Sequence, residues 1–384
     1  MIFNCYVPVN IIFGEGALRR ISREPLPGKK ALIVTGGTST TKLGYIDRLQ
    51  KLLRKNSGQE ESVVYSDITP NPTIADVEAC SSIAKENGCD YIIALGGGSS
   101  IDAAKATALL AVDSGVLWDY ALGGRNIKNR CVPVIAIPTT AGTGSEVNPW
   151  MVITNEFSKE KIGFGARQTF PVMAIIDPEL MMSVPPELAA FQGFDALFHA
   201  VEGYISIRSN VVSDLLALKS IELISQNLPD AVHPEKSPQA VAHIALASTL
   251  SGIIETLSSC TAQHALAHSL NAYCPSLPHG AALIMLSAAY FKHVEPVCGT
   301  RYCEMAKAMG IPQPEAPDAF LSALNKLKQA CKVSELHMSD YGISADCFRK
   351  CAENAQTTGK SLFSNDISEY DTQTLISIYN LSYS

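Results

Sequence analysis

The sequence predicts an α/β domain over residues 1–184 followed by an all-helical domain over residues 185–384. Short β-branched runs alternate with helical stretches through the first half, the pattern of a parallel sheet covered by helices on both faces. From about residue 186 the strand pattern stops, and the segments are helical in period and rich in Ala and Leu. Between the two lies "DPELMMSVPPE" (177–187), where Pro185 and Pro186 cannot continue a helix but suit the first turn of one. The length of 384 residues also exceeds one typical domain.

In order along the first half, "KALIVTGG" (30–37) reads as a strand running into glycines, and "YIDRLQKLLRKN" (45–56) as an amphipathic helix. "ESVVYSDI" (61–68) is the next strand and "TIADVEACSSIAKENG" (73–88) the next helix. "DYIIALGGG" (90–98) and the helix "SIDAAKATALLAV" (100–112) follow, and the strand "VPVIAIPTT" (132–140) closes the series. The second half opens with "PELAAFQGFDALFHAVEGYI" (186–205) and continues through helical segments at 209–228, 237–257 and 261–273.

Hydrophobic residues make up 47% and charged residues 17%, as in a globular protein with a large core. A net charge of −7 with no dense basic stripe excludes a nucleic-acid binder. No apolar run reaches the roughly 18 residues of a membrane span. "MIFNCYVPVN" shows no secretory signal. The eleven cysteines lie singly without a CxxC pair, and Cys347 and Cys351 are the closest, four apart. Free thiols in a reducing cytoplasm are therefore expected.

Two glycine loops point to a dinucleotide. "IIALGGGSSIDAAK" sets Gly96, Gly97 and Gly98 between a buried strand and a helix start, with Ser99 and Asp102 just beyond. Missing Cβ atoms let backbone N–H groups approach a pyrophosphate, and the helix N-terminus favours its charge. The pattern departs from GxGxxG, and a plain tight turn is the competing reading. "IPTTAGTGSE" (137–146) is a second small-residue loop at a strand end, with hydroxyls on Thr139, Thr140, Thr143 and Ser145. Parallel strands ending together form a crevice for ligands, so the pair supports a Rossmann-like dinucleotide-binding domain.

The helix at 186–205 poses a different question. Phe194, Leu197, Phe198 and Val201 mark it as buried, yet Asp195 and His199 stand inside it, four apart and roughly 40° apart around the axis. "QHALAHSLNAYCPSLPHG" adds His264 and His268, again four apart, and His279 in a Pro-His-Gly corner. Four of the eight histidines fall in these two segments. One carboxylate and three imidazoles suit Zn²⁺ or Fe²⁺. Satisfied polar residues on core helices are the bland alternative, which two such pairs and a corner histidine outweigh.

Taken together, GFDALFHAVEGYIS, GGGSSIDAAK, PTTAGTGSE and HALAH…PHG resemble the iron-containing, or group III, alcohol dehydrogenase family. The similarity runs from "IIFGEGAL" (11–18) past His279 and thins in the last hundred residues. It implies metal ligation by Asp195, His199, His264 and His279, and a place for His268 near the nicotinamide, where it is a candidate to relay the proton exchanged with solvent. It also implies a nucleotide-binding N-terminal domain, a helical C-terminal domain, and a homodimer or larger assembly. Asn71, in "TPNPT", matches a loop near cofactor and pocket, and Trp150 falls where pocket residues are expected. NAD-preferring members commonly carry an aspartate after the first strand, where this chain has Gly36. Gly37, Thr38 and Ser39, with Lys42 nearby, can instead donate to a 2′-phosphate, which favours NADP(H). The expected activity is NAD(P)-linked oxidation of short-chain alcohols or reduction of aldehydes, with no nucleic-acid or membrane partner. A polyol or glycerol dehydrogenase and a dehydroquinate synthase-like lyase are the alternatives. The helices around Asp195 and His264 contain no Lys or Arg for the lyase's anionic substrate.

Overall fold

The computed structural model describes residues 2–113, 115–128, 130–314 and 316–383. Its strands are β1 (Asn10–Phe13), β2 (Ala31–Gly36), β3 (Val63–Ile68), β4 (Tyr91–Gly96), β5 (Val134–Pro138), β6 (Met151–Asn155), β7 (Glu160–Phe164) and β8 (Met173–Ile176). The helices of the first half are α1 (Ser39–Lys42), α2 (Tyr45–Leu53), α3 (Ile74–Glu86), α4 (Gly98–Leu110) and α5 (Leu117–Ala121). The second half contains α6 (Pro186–Ile205), α7 (Val211–Ala231), α8 (Pro238–Ser258), α9 (Ala262–Tyr273), α10 (His279–Cys298), α11 (Thr300–Ala308), α12 (Asp318–Ala330), α13 (Phe348–Thr358), α14 (Lys360–Phe363) and α15 (Thr372–Ser382). An α/β domain with a parallel sheet is thus followed by a helical domain.

Six strands form the sheet in the order β1-β8-β5-β4-β2-β3, parallel throughout. Alternate residues feed opposite faces, as the strand period requires. Leu32, Val34, Ile92 and Ala94 pack with Val77 of α3 and Ile101 of α4. Ala31, Ile33, Tyr91, Ile93 and Leu95 pack with Ile46, Leu49 and Leu53 of α2 on the other face. The chain leaves β2 to one side for β3 and returns to its other side for β4, so the carboxyl ends of β2 and β4 flank a switch point. Such crevices are where open α/β sheets bind ligands.

The strand series does not close at residue 140. β6 and β7 follow as an antiparallel hairpin outside the sheet, and β8 inserts between β1 and β5. Pro185 caps α6 and Pro186 opens it, after which the helices close around a core of their own. One helix, Pro238–Ser258, is long and apolar enough to cross a membrane, but 61% of its most apolar stretch is buried within the protein. Its apolarity therefore has a core to serve.

Candidate metal centre and interdomain cleft

A cavity of about 270 Å³ runs between the α/β part and the helices, lined on one side by Gly98, Ser99 and Thr143 and on the other by Asp195, His199 and His264. The helical spacing of α6 brings Asp195 and His199 to one face, α9 supplies His264, and Pro278 turns the chain so that His279 opens α10. Asp195 Oδ1 lies 3.5 Å from His199 Nε2, 3.6 Å from His264 Nε2 and 3.7 Å from His279 Nε2. Tetrahedral ligands bonded at about 2.0–2.1 Å stand roughly 3.4 Å apart, so these four atoms fit around one transition-metal ion. Asp195 Oδ1 and His264 Nε2 are also buried without a hydrogen-bond partner, a costly state that a cation would relieve. Asp195, His264 and His279 form one set able to hold a metal among the described residues; His199, Cys260 and His264 form another.

Each imidazole is oriented through its other nitrogen, the arrangement that fixes a ligand's tautomer. His264 Nδ1 bonds the buried carboxylate of Glu202, His279 Nδ1 bonds Asn271 Oδ1 at 2.9 Å, and His199 Nδ1 lies 3.1 Å from Cys260 Sγ. Glu202 also accepts from Thr261 N at 2.8 Å and Thr261 Oγ1 at 2.7 Å. Burial lowers the pKa of His199 to about 4 and holds His268 and His279 well below the usual imidazole value, leaving neutral rings of the kind metals bind. His264 shifts upward, Cys260, Glu202 and Asp195 outweighing burial. Burial alone would raise Asp195, but His199, His264 and Lys161 outweigh it and keep the carboxylate ionised. His268 lines the same cavity, its ring 5.1 Å from that of His279.

The residues expected from the sequence to meet a dinucleotide divide into three groups. Asn71, Gly98, Ser99, Asp102, Thr143 and Ser145 line the cavity. Asp102 is already engaged: Oδ1 accepts from Ser145 Oγ at 2.5 Å and Oδ2 from Val152 N at 2.9 Å, so it ties α4 to the loop and to β6 rather than offering a free carboxylate. Gly97 caps α4, with Thr140 against it, and Thr139 N bonds Gly96 O at 2.9 Å; these three are not among the lining residues. Gly36 at the end of β2, Gly37 and Thr38 in the turn after it, and Ser39 and Lys42 in α1 also lie off that lining. Gly36 has a structural reason of its own, since a Cβ there would meet Ile68 O at 2.4 Å.

Several charged residues in and behind the lining escaped the sequence reading. Trp150 lines the cavity as expected, its Nε1 buried without a partner. Buried Lys105 donates to Ser145 Oγ at 2.7 Å, Asn148 Oδ1 at 3.2 Å and Trp150 O at 2.6 Å. Lys161, from β7, lines the cavity, and burial lowers its pKa to about 8. Arg208 lines it from the loop after α6. The absence of basic residues from the helices of Asp195 and His264 therefore does not leave the cavity without cations, because they arrive from other elements. Glu255, on α8, accepts from Asn148 Nδ2 at 2.8 Å and is pushed up to about 8 by burial.

Comparison with known proteins agrees with this architecture. Residues 8–178 match the family model described as iron-containing alcohol dehydrogenase, and residues 189–383 match the C-terminal model of the same family. Alcohol dehydrogenase 4 of Saccharomyces cerevisiae is 35% identical over 358 residues, 91% of each chain. The crystal structure of an archaeal halo-thermophilic alcohol dehydrogenase from a Red Sea brine pool superposes with a TM-score of 0.94 at 31% identity, covering 100% of this chain and 99% of that one. Sulfoacetaldehyde reductase from Bifidobacterium kashiwanohense, solved with NAD⁺, gives a TM-score of 0.88 at 28% identity over 100% and 99% of the two chains. The chain belongs to the iron-containing alcohol dehydrogenase family.

Proposed function

We propose that this protein is a metal-dependent dehydrogenase that interconverts short-chain alcohols and aldehydes with a nicotinamide dinucleotide. The observation that carries the reading is the near-equal spacing of 3.5, 3.6 and 3.7 Å from Asp195 Oδ1 to three imidazole Nε2 atoms beside the strand-end loops. Asp195, His199, His264 and His279 would hold Fe²⁺ or Zn²⁺, and cellular availability would decide between them. When bound, the metal supplies Lewis acidity toward the substrate oxygen and the nicotinamide exchanges the hydride.

The chain's own residues do the rest. The α4 N-terminus with Gly98 and Ser99 offers backbone donors to a pyrophosphate, and Thr143 and Asn71 border the same space. His268 lines the same cavity, its ring 5.1 Å from that of His279, and is the candidate relay for the proton that accompanies alcohol oxidation or aldehyde reduction. Trp150 narrows the cavity and supports a short substrate. The NADP(H) preference rests on Gly36 standing where a carboxylate would be and on Gly37, Thr38, Ser39 and Lys42 as donors to a 2′-phosphate; Gly36 also serves the contact with Ile68, and the sulfoacetaldehyde reductase carries NAD⁺. We further propose a domain division near residue 185, a homodimer or larger assembly, and a cytoplasmic setting, the last supported by eleven free cysteines.

The test is the initial rate of NADPH and, separately, NADH oxidation with propanal by anaerobically iron-reloaded protein. Consumption that disappears in chelated apo-protein supports the proposal, and the faster cofactor decides the dinucleotide. Silence with both, while metal and dinucleotide bind, would overturn it.

A further inference from the structure

His279 stands apart from the other three donors. Its side chain is 22% exposed, against 7% for Asp195 and His199 and 3% for His264, and its Nε2 lies furthest from Asp195 Oδ1. It opens a helix rather than lying inside one, so neighbouring turns constrain it less. What holds it is a chain of polar contacts that crosses the cleft.

Asn271 on α9 is the first link. Its Oδ1 lies 2.9 Å from His279 Nδ1 and also accepts from Lys161 Nζ at 3.2 Å, while its Nδ2 donates to Leu277 O at 2.9 Å. An ammonium can only donate and a carbonyl can only accept, so both contacts fix the same amide orientation. With an oxygen facing it, His279 Nδ1 must carry the proton, and the lone pair falls on Nε2, toward Asp195. Lys161 is the second link: it reaches from β7, and its ammonium also donates to Asn71 Oδ1 at 2.8 Å. Asn71 holds a left-handed φ of 58° between β3 and α3, and its Nδ2 returns to Pro275 O at 3.2 Å, in the α9–α10 connection. Residues of both domains thus converge on one amide.

We infer that Asn271 is the positioning residue for His279, and that Lys161 and Asn71 hold it from the dinucleotide-binding side, so that this domain completes the fourth donor of the metal set. The inference rests on the metal-centre reading above.

It is tested by metal retention rather than turnover. Cobalt-loaded protein is challenged with a chelator, following bound metal by mass spectrometry and geometry by the visible Co²⁺ bands, which weaken when a tetrahedral donor is lost. Asn271→Leu keeps the volume but removes the acceptor, and retention should fall about 10–100-fold, the usual cost of losing such a partner. Asn271→Asp keeps an acceptor and should retain metal nearly as wild type. Lys161→Met should loosen retention by a smaller factor, and the Lys161→Met, Asn271→Leu double variant should be no looser than Asn271→Leu alone. Matched melting temperatures of the metal-free forms show that folding is intact; if Asn271→Leu does not fold, Lys161→Met beside Lys161→Arg carries the test. Unchanged retention in Asn271→Leu, or in Lys161→Met where that variant carries the test, would overturn the inference, as would a Lys161 effect that adds in full. Wild-type protein that takes up no metal would instead overturn the metal-centre reading itself.

Discussion

Glu202 shows how much depends on single groups that no short motif advertises. It lies three residues after His199 and seven after Asp195, on the same helical face, and its carboxylate closes the far side of His264. Glu202→Ala should lower metal affinity about 10–100-fold in a chelator competition, because Thr261 and His264 lose their shared acceptor. His268→Ala, by contrast, should slow turnover while metal content by mass spectrometry stays at wild-type level; metal loss would make His268 a ligand or a support for one. Glu255 gives a pH prediction. Its pKa is raised to about 8 by burial, from a usual carboxylate value near 4.5, so between these values the folded state binds more protons than the unfolded one. Stability from this group therefore falls as pH rises from about 4.5 to 8. Glu255→Gln should raise the melting temperature at pH 8.5 and change it little at pH 5. The ligand pairs were legible because a carboxylate and an imidazole four apart on an apolar helix are conspicuous. Glu202 and Lys161 were not, because their partners His264 and Asn271 lie 62 and 110 residues away, and Asn271, 8 residues from His279, takes its meaning only once the α9–α10 connection folds back.

At the scale of elements, helices proved easier to read than strands. α6, α8 and α9 follow their apolar period, and Pro186 marks a start that the structure keeps. β1 and β8 have four residues each, too few for alternation to register, and their place in the sheet depends on pairing with one another and with β5. The β6–β7 hairpin lies in the first half but outside its parallel sheet, and it brings Lys161 to the cleft. Close packing between elements sets the centre's dimensions. A Cβ on Gly280 would meet Phe191 O at 2.2 Å and Phe191 Cα at 2.9 Å, so α10 presses its first turn directly on the backbone of α6. Gly280→Ala must push His279 away from Asp195, because backbone atoms cannot swing aside as a side chain can. The expected outcome is weaker metal binding by equilibrium dialysis, with helix content by circular dichroism unchanged.

For the whole molecule, the division of labour was visible in sequence, but the traffic across it was not. All four proposed ligands come from helices α6, α9 and α10, whereas the strand-end loops and Lys161 come from the other part. Composition and periodicity speak about each half; contacts such as Asn71 to Pro275, 204 residues apart, exist only once the halves meet. If Lys161 and Asn71 link the halves as inferred, the two binding events must be coupled reciprocally. Saturating dinucleotide should slow removal of the metal by a chelator, and metal loading should lower the Kd of the dinucleotide by the factor by which dinucleotide tightens metal binding at equilibrium.

Helix α4 carries a consequence for anyone who would alter this protein. Its first turn faces the loop proposed to cradle phosphates, while Asp102 and Lys105, one and two turns along, tether the segment from Ser145 to Val152 that walls the cavity at Trp150. The helix is a shared beam under both ends of one cavity. Reshaping either end will shift the other, so variants selected for a new coenzyme should be screened for altered alcohol size, and those selected for a larger alcohol should be screened for coenzyme preference.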